Sequence, residues 1–370
     1  MRAEARAAGA REEHLVVVTE APLVSGAEHA LAQLVAGISD DMRVTVASVD
    51  AAVGGWVASH RPGAHTVALP SLSEKRDLLN IPHARKVLAA LRPTVVHLNK
   101  TEVGGLRYFE IICHTLPNTR LVSVVHHVEA PGSFFSGLLS QLLARRSDAV
   151  IAVGRSLARE LESLLRLPEG HVKAIHNAID PASGFEGSRT RPHARPFTAG
   201  MLTRLVPHKR VEDVVCAVSQ LEGAELLVGG TGPELNRLQT SVRRLGLGSR
   251  VHFLEWVEPG EVLDNIDVYV LTSKIEGHPI SLLQAQRAGL PIVASNVGGV
   301  PEIVTEGVDG FLFEPGDVAA LAARLRELAN DDVLLSNMAA AARAAAARRP
   351  SPVEVATSYA EVFWPAAEAV

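Results

Sequence analysis

The sequence predicts an α/β protein of two Rossmann-like, doubly wound domains that face a cleft. Short β-branched runs alternate with longer amphipathic stretches along nearly the whole chain, the pattern of parallel sheets covered by helices. The alternation halts at "PASGFEGSRTRPHARP" (181–196), rich in Pro, Gly and Arg, and then restarts. The chain has 370 residues, 47% of them hydrophobic, enough for two cores.

In the first half the spacing predicts strands at "LVVVT" (15–19), "VTVAS" (44–48), "VVHL" (95–98), "LVSVVHH" (121–127), "AVIAV" (149–153) and "KAIHN" (173–177). Helices fall between them, among them "GAEHALAQLVAGI" (26–38) and "SLARELESLL" (156–165). The second half opens with "FTAGML" (197–202) and continues with strands at "ELLVGG" (225–230), "VHFLEWV" (251–257), "VYVLTS" (268–273) and "IVASN" (292–296). An Ala/Arg-rich helical tail runs to Arg349, where Pro350 and Pro352 break it. A last helix then places Tyr359, Phe363 and Trp364 at helical spacing, as on one packed face. The expected organisation is a disordered tail (1–13), an N-terminal domain (14–190) joined by the last helix (353–370), and a C-terminal domain (191–352).

A formal net charge of −5 without a long basic run argues against nucleic acid as a partner. Cys113 and Cys216, far apart and each in a helix-like segment, argue against a disulfide framework, so a reducing cytoplasm is the default compartment. The charged start "MRAEARAAGAREEH" does not read as a signal peptide, and "LVVV" is too short to cross a bilayer.

In doubly wound sheets ligands sit beyond the carboxyl ends of the strands, and the chemistry-bearing residues gather there. "GMLTRLVPHKR" (200–210) follows a strand with Arg204 and Lys209, a planar fork and a compact charge suited to a diphosphate. Alone, such a pair is more often a solvated basic loop. "KIEGHPISLLQAQRAGLP" (274–291) places Glu276 after a strand and before a helix. Pro279 stands at the expected first helical position, with Gly289 and Pro291 at the end. The N-terminus of this helix offers N–H groups to an anion, while Glu276 either accepts from sugar hydroxyls or caps the helix. "SNVGGVPEIV" (295–304) and "GGTGPE" (229–234, without a Walker lysine) are glycine loops that either let backbone approach a ligand closely or are plain turns. Gly26 stands between the first strand and helix, too little for a dinucleotide fingerprint. His126 and His127 sit at another strand end, and His-His-x-Glu there lacks a convincing further ligand set, so no metal is expected.

Taken in order, "SGAEHAL", "VVHHVEAP", "SDAVIAVGRSLAREL", "IHNAID", "GMLTRLVPHKR", "LLVGGTGPELNRL", "VHFLEWV", the long stretch from 273 to 304 and "GVDGFLFEPGD" resemble a family 4 glycosyltransferase of GT-B architecture. The resemblance implies a retaining, metal-independent enzyme that moves a sugar from a nucleotide-diphospho-sugar to a hydroxyl acceptor, with no cofactor. It implies that the last helix crosses back onto the first domain. Arg204 and Lys209 would bind the donor diphosphate, Glu276 the donor sugar, and His126 would lie beside the transferred sugar. Gly26, Val257, His278, Pro279, Ile280, Ser281 and Gln284 would complete the donor site, with Gln284 at the ribose and Val257, beside Trp256, near the base. Asn99, Lys100 and His127 would stand on the acceptor side.

Three positions depart from that pattern. Gln284 replaces a common glutamate, Ser25 a usual glycine, and Ala178 the glycine of "NGID". An amide accepts through one oxygen where a carboxylate accepts through two. Gln284 therefore keeps open a second reading, a nucleotide-sugar or glycan-binding subunit without turnover; a third is a GT-B-like nucleotide-sugar epimerase. The stripe Phe134, Phe135, Leu138, Leu139, Leu142 and Leu143 is expected to pack on its own sheet, with peripheral contact to an anionic membrane as the alternative.

Overall fold

The computed structural model describes residues 13–129, 132–179 and 195–366. The tail and linker expected over 1–13 and 181–196 lie almost wholly outside them. One compact unit runs through His176 and resumes at Pro352; the other is Asn177–Ser351.

The first unit alternates β1 (His14–Thr19), α1 (Gly26–Gly37), β2 (Arg43–Ser48), α2 (Ala51–Ser59), β3 (His65–Ala68), α3 (Ile81–Leu91), β4 (Val95–Lys100), α4 (Arg107–Cys113), β5 (Arg120–Val125), α5 (Phe134–Arg146), β6 (Ala149–Ala152), α6 (Arg155–Leu164) and β7 (Val172–Ala174). Its sheet has the order β3-β2-β1-β4-β5-β6-β7. Leu15, Val16, Val17 and Val18 are fully buried, as a central parallel strand covered on both faces requires. At the start of α1 the Glu28 carboxylate reaches back to the Ser25 N–H (3.2 Å) and hydroxyl (2.6 Å), as in a capping box.

The second unit alternates β8 (Thr198–Leu202), α7 (Val211–Ser219), β9 (Glu225–Gly229), α8 (Leu235–Arg244), β10 (Val251–Leu254), α9 (Pro259–Leu263), β11 (Val268–Leu271), α10 (Ile280–Arg287), β12 (Ile292–Ser295), β13 (Gly310–Phe313), α11 (Val318–Asn330) and α12 (Asp332–Ala346). Its sheet order is β10-β9-β8-β11-β12-β13, and every pairing is parallel. The chain then returns to the first unit as α13 (Pro352–Phe363), which packs along α1. The approach is close: a Cβ on Gly37 would stand 2.3 Å from the Pro352 carbonyl oxygen. Tyr359 and Phe363 are buried with ring centroids 5.9 Å from His97, whereas Trp364 lies past the helix end and is half-buried.

Several boundaries differ from the sequence expectation. β5 stops at Val125, where its partners Lys100 and Ala152 also end, so His126 and His127 leave the sheet as a loop. The stretches 251–257 and 268–273 likewise shorten to end at Leu254 and Leu271. The strands β3 and β13 were not foreseen: β3 is an edge strand, largely exposed, and β13 is only four residues long. Pro279 is the residue before α10 rather than its first helical residue, with φ −67° and ψ 120°. The far end is as expected: Gly289 has φ +68° and Leu290 N–H donates to Ala285 O at 3.0 Å.

The α5 stripe packs inward only in part, against the expectation that all of it would. Ser140, Leu143 and Ala144 face inward, while Phe134, Phe135, Leu138 and Leu142 stand exposed. Of the six stripe residues Leu143 is buried, between the small Ser140 and Ala144, and Leu139 is half-buried.

Candidate active site

In the second sheet the strand order reverses direction between β8 and β11, the switch point at which doubly wound sheets open a crevice. The loops leaving those two strands carry Arg204 and Lys209 on one side and Glu276 on the other. Lys209 Nζ donates to Glu276 Oε1 at 2.6 Å, and both side chains are mostly buried. Arg204 is exposed, and its side chain makes no hydrogen bond or ion pair among the described residues. The next cation, Arg210, is held instead by Asp213 at 2.7 Å.

Backbone contacts fix these loops. Thr272 Oγ1 donates to Lys209 O at 2.8 Å and Lys274 N–H to His208 O at 2.7 Å. Gly299 N–H donates to Gly277 O at 2.8 Å. A Cβ on Gly298 would stand 1.8 Å from the Glu276 carbonyl oxygen, so the paired glycines of "NVGG" let this loop lie against the Glu276 backbone. The glycines of "GGTGPE" do the same for Arg204. Cβ atoms at Gly230 and Gly232 would meet Thr203 O at 1.9 Å and Leu205 O at 2.3 Å, and Leu205 N–H donates to Thr231 O at 2.8 Å. Both loops are therefore close-packed supports and more than plain turns.

Around this pair, His278 and Ile280 are buried, and Ser281 and Gln284 are half-buried on the opening turns of α10. The Gln284 side chain makes no hydrogen bond among the described residues. Val257 is half-buried, packed toward Gly229, and Trp256 beside it is 65% exposed. Two supporting residues escaped the sequence reading. Asn177 Nδ2 donates to His278 O at 2.7 Å. Tyr269, fully buried, accepts from Leu202 N–H and donates to Leu202 O, each at 3.1 Å, and burial pushes its hydroxyl up to about 12. A lone tyrosine in the aliphatic "VYVL" was the available signal, because a buried phenol needs partners.

In the first unit the switch point lies between β1 and β4. Asn99, at the end of β4, is buried, and its Nδ2 reaches Ala27 O and Glu28 Oε1, both at 3.4 Å. Its Oδ1 therefore accepts from His126 Nε2 at 2.8 Å, which puts the proton of the neutral imidazole on Nε2 and leaves Nδ1 an acceptor. Burial, then the neighbouring His97 and His127, push His126 down to about 3, so it is neutral. Glu28, unforeseen in this role, is fully buried; burial raises its pKa against the bonds from Ser25 and Thr19. Gly26 is exposed with nothing within 4 Å of a Cβ, so no protein contact requires a glycine there.

Lys100 is not brought to this face. Its Nζ pairs with Glu110 Oε2 at 2.7 Å in the core, and Glu110 also accepts from Ser123 and Ser147. His127 joins a different group: Glu102, His127 and Glu129 bring one ligand atom each to within 4.8 Å of one another. Glu102 is the partner that local sequence could not show. Burial first, then a hydrogen bond and charge from Glu129, raise its pKa. Ala130 and Pro131 of the same loop lie outside the described residues.

Two parallel-sheet units of this order, with a helix returning to the first, have the two-domain α/β architecture of GT-B glycosyltransferases. Residues 189–345 match the profile described as "Glycosyl transferases group 1", and residues 24–183 that of "Glycosyltransferase Family 4". Glycogen synthase of Mycobacterium tuberculosis is 30% identical over 288 residues, 74% of this chain and 69% of that protein. N-acetyl-alpha-D-glucosaminyl L-malate synthase of Bacillus anthracis is 29% identical over 230 residues, 59% of this chain and 60% of that protein. The chain belongs to the group 1, family 4 glycosyltransferases.

Among solved structures, Anabaena Alr3699/HepE in complex with UDP-glucose matches with TM-score 0.79 at 21% identity, covering 95% of this chain and 99% of that one. Sucrose-phosphate synthase (tll1590) from Thermosynechococcus elongatus matches with TM-score 0.80 at 16% identity, covering 95% and 98%. At these identities the likeness shows the fold. Among the described residues no helix is long and apolar enough to cross a membrane.

Proposed function

We propose that this glycosyltransferase is a retaining, metal-independent enzyme that takes a sugar from a nucleoside diphosphate and delivers it to a hydroxyl acceptor. The observation that carries the reading is the Lys209–Glu276 pair at the β8/β11 switch point, with uncommitted Arg204 on the same loop as Lys209. Breaking a sugar–phosphate bond builds negative charge on the leaving diphosphate and positive charge on the ring. Arg204, Lys209 and the N–H groups at the start of α10 suit the first, held in place before reaction, which is usually the largest catalytic contribution. Glu276, already anchored by Lys209, suits the donor sugar's hydroxyls.

In the first unit, His126 offers Nδ1 as an acceptor for a sugar hydroxyl, and the open N-terminus of α1 at Gly26 suits a phosphate. Lys100 supports the fold in this reading, while Asn99 positions His126. The structural neighbour that holds UDP-glucose makes a UDP-sugar the first donor to try.

Calorimetry of UDP, GDP and ADP, with and without Mg²⁺, tests the donor site on the wild type and Arg204→Ala. Magnesium-independent binding of one nucleotide, lost in Arg204→Ala, supports the assignment. Product NMR with the matching donor then reads anomeric configuration, and inversion would remove the retaining assignment.

Gln284 favours a second reading, a binding subunit without turnover. It predicts weak or no nucleotide binding in the wild type, restored by Gln284→Glu, with no sugar transferred to any acceptor.

A further inference from the structure

We propose that α5 is a membrane-docking helix that seats its outer face in the interface of an anionic lipid bilayer. This stands independently of the sugar-transfer reading. The helix is 13 residues long, about 20 Å at 1.5 Å per residue. Its outer face carries Phe134 (78% exposed), Phe135 (80%), Leu138 (53%) and Leu142 (51%). Positions 134, 138 and 142 repeat every four residues and so form one stripe, with Phe135 edge-on to Phe134 at a centroid distance of 6.0 Å. Scattered exposed apolar residues need no explanation, but a contiguous aromatic and aliphatic stripe marks an interaction face.

Charge decides which partner fits. The helix carries no carboxylate, and its only charges are Arg145 and Arg146, both exposed at its C-terminal end. Arg145 Nη2 donates to Arg166 O at 2.9 Å, which brings the exposed Arg166 to the same flank. The chain as a whole is acidic at −5, so three guanidiniums beside an apolar stripe are a local feature of this face. Phenylalanine and leucine side chains enter the boundary between headgroups and acyl chains, and arginines at the end of the stripe meet lipid phosphates. The inward residues Ser140, Leu143 and Ala144 already hold the helix to its unit, so docking needs no refolding.

The test is co-sedimentation of the full chain with vesicles of phosphatidylcholine alone and of phosphatidylcholine mixed with phosphatidylglycerol. The variants are Phe134→Ser/Phe135→Ser and Arg145→Gln/Arg146→Gln. Thermal melting and circular dichroism of each should match the wild type, because the altered side chains are exposed. We expect the wild type to pellet with the anionic vesicles and far less with the zwitterionic ones. Each double variant should lose on the order of tenfold in partitioning. A wild type that stays in the supernatant with both vesicle types overturns the proposal, as does a Phe variant that pellets like the wild type. Light scattering that shows a vesicle-free dimer, dissolved by the Phe substitutions, would overturn it in favour of an interface between two copies.

Discussion

Lys209 Nζ lies 2.6 Å from Glu276 Oε1, joining two loops that are 67 positions apart in sequence. Neither residue serves as an isolated charge: the lysine orients the carboxylate, and the carboxylate fixes where the lysine waits. With side-chain exposures of 20% and 11%, removing either partner leaves the other poorly solvated.

Lys209→Ala should therefore lower both turnover and stability. By analogy with losing one preorganised donor, kcat should fall roughly 10²–10³-fold. A double-mutant cycle with Glu276→Gln, read by thermal melting, should give a coupling of roughly 0.5–3 kcal/mol. Arg204→Ala should match the fall in kcat without a stability loss, since its side chain is exposed. A cycle with no coupling would mean the pair is incidental.

Gln284→Glu restores charge at a half-buried position on α10. Charged acceptors exceed neutral ones by about 1–2 kcal/mol, so nucleotide affinity should rise roughly 5–30-fold. Calorimetry measures this directly; unchanged affinity would place residue 284 off the ligand.

Two glycine substitutions should behave oppositely. Gly230 has φ +135° and a Cβ there would meet Thr203 O at 1.9 Å, so Gly230→Ala should displace the Arg204 loop and lower stability as well as donor binding. Gly26→Ala meets nothing within 4 Å and should melt at or above the wild-type temperature. A loss of donor affinity in Gly26→Ala at unchanged stability would show that the ligand approaches α1.

Lys100→Met should leave the Glu110 charge buried without its partner. The expected cost is roughly 3–5 kcal/mol in chemical denaturation, with activity per folded molecule unchanged. Strong loss of activity at wild-type stability would return Lys100 to the site.

His97, packed against Tyr359 and Phe363, is pushed by burial from 6.5 down to about 4. Between those values the unfolded chain binds a proton that the folded chain does not, so the stability it contributes is full above about pH 6.5 and is lost as pH falls toward 4. At pH 5 the loss relative to pH 7 should be about 2 kcal/mol. His97→Gln should remove that part of the acid sensitivity, and an unaltered pH–melting profile would contradict it.

The fold class and the second unit's site loops were legible in the sequence because they depend on local order. Alternation of β-branched runs with amphipathic stretches specifies parallel sheets, and the carboxyl end of each strand specifies where Arg204, Lys209, Glu276 and His126 emerge. Pairing could not be read in this way. That Lys100, the last residue of β4, turns inward to Glu110 while Lys209, in the loop after β8, turns to Glu276 depends on which carboxylate the folded chain brings near each amine. The glycines of 229–232 and 298–299 read as turns until the backbones they accommodate were in place. Asn177 and Tyr269 act on His278 and Leu202, far from them in sequence. The stripe on α5 reads first as a core face, and four of its residues are exposed, because periodicity shows that one side is apolar and says nothing of what covers it. The sequence alone thus determined the elements and the order of the strand ends. Only the tertiary structure decided which side chains meet, because burial and contact are properties of neighbours that the chain brings together on folding.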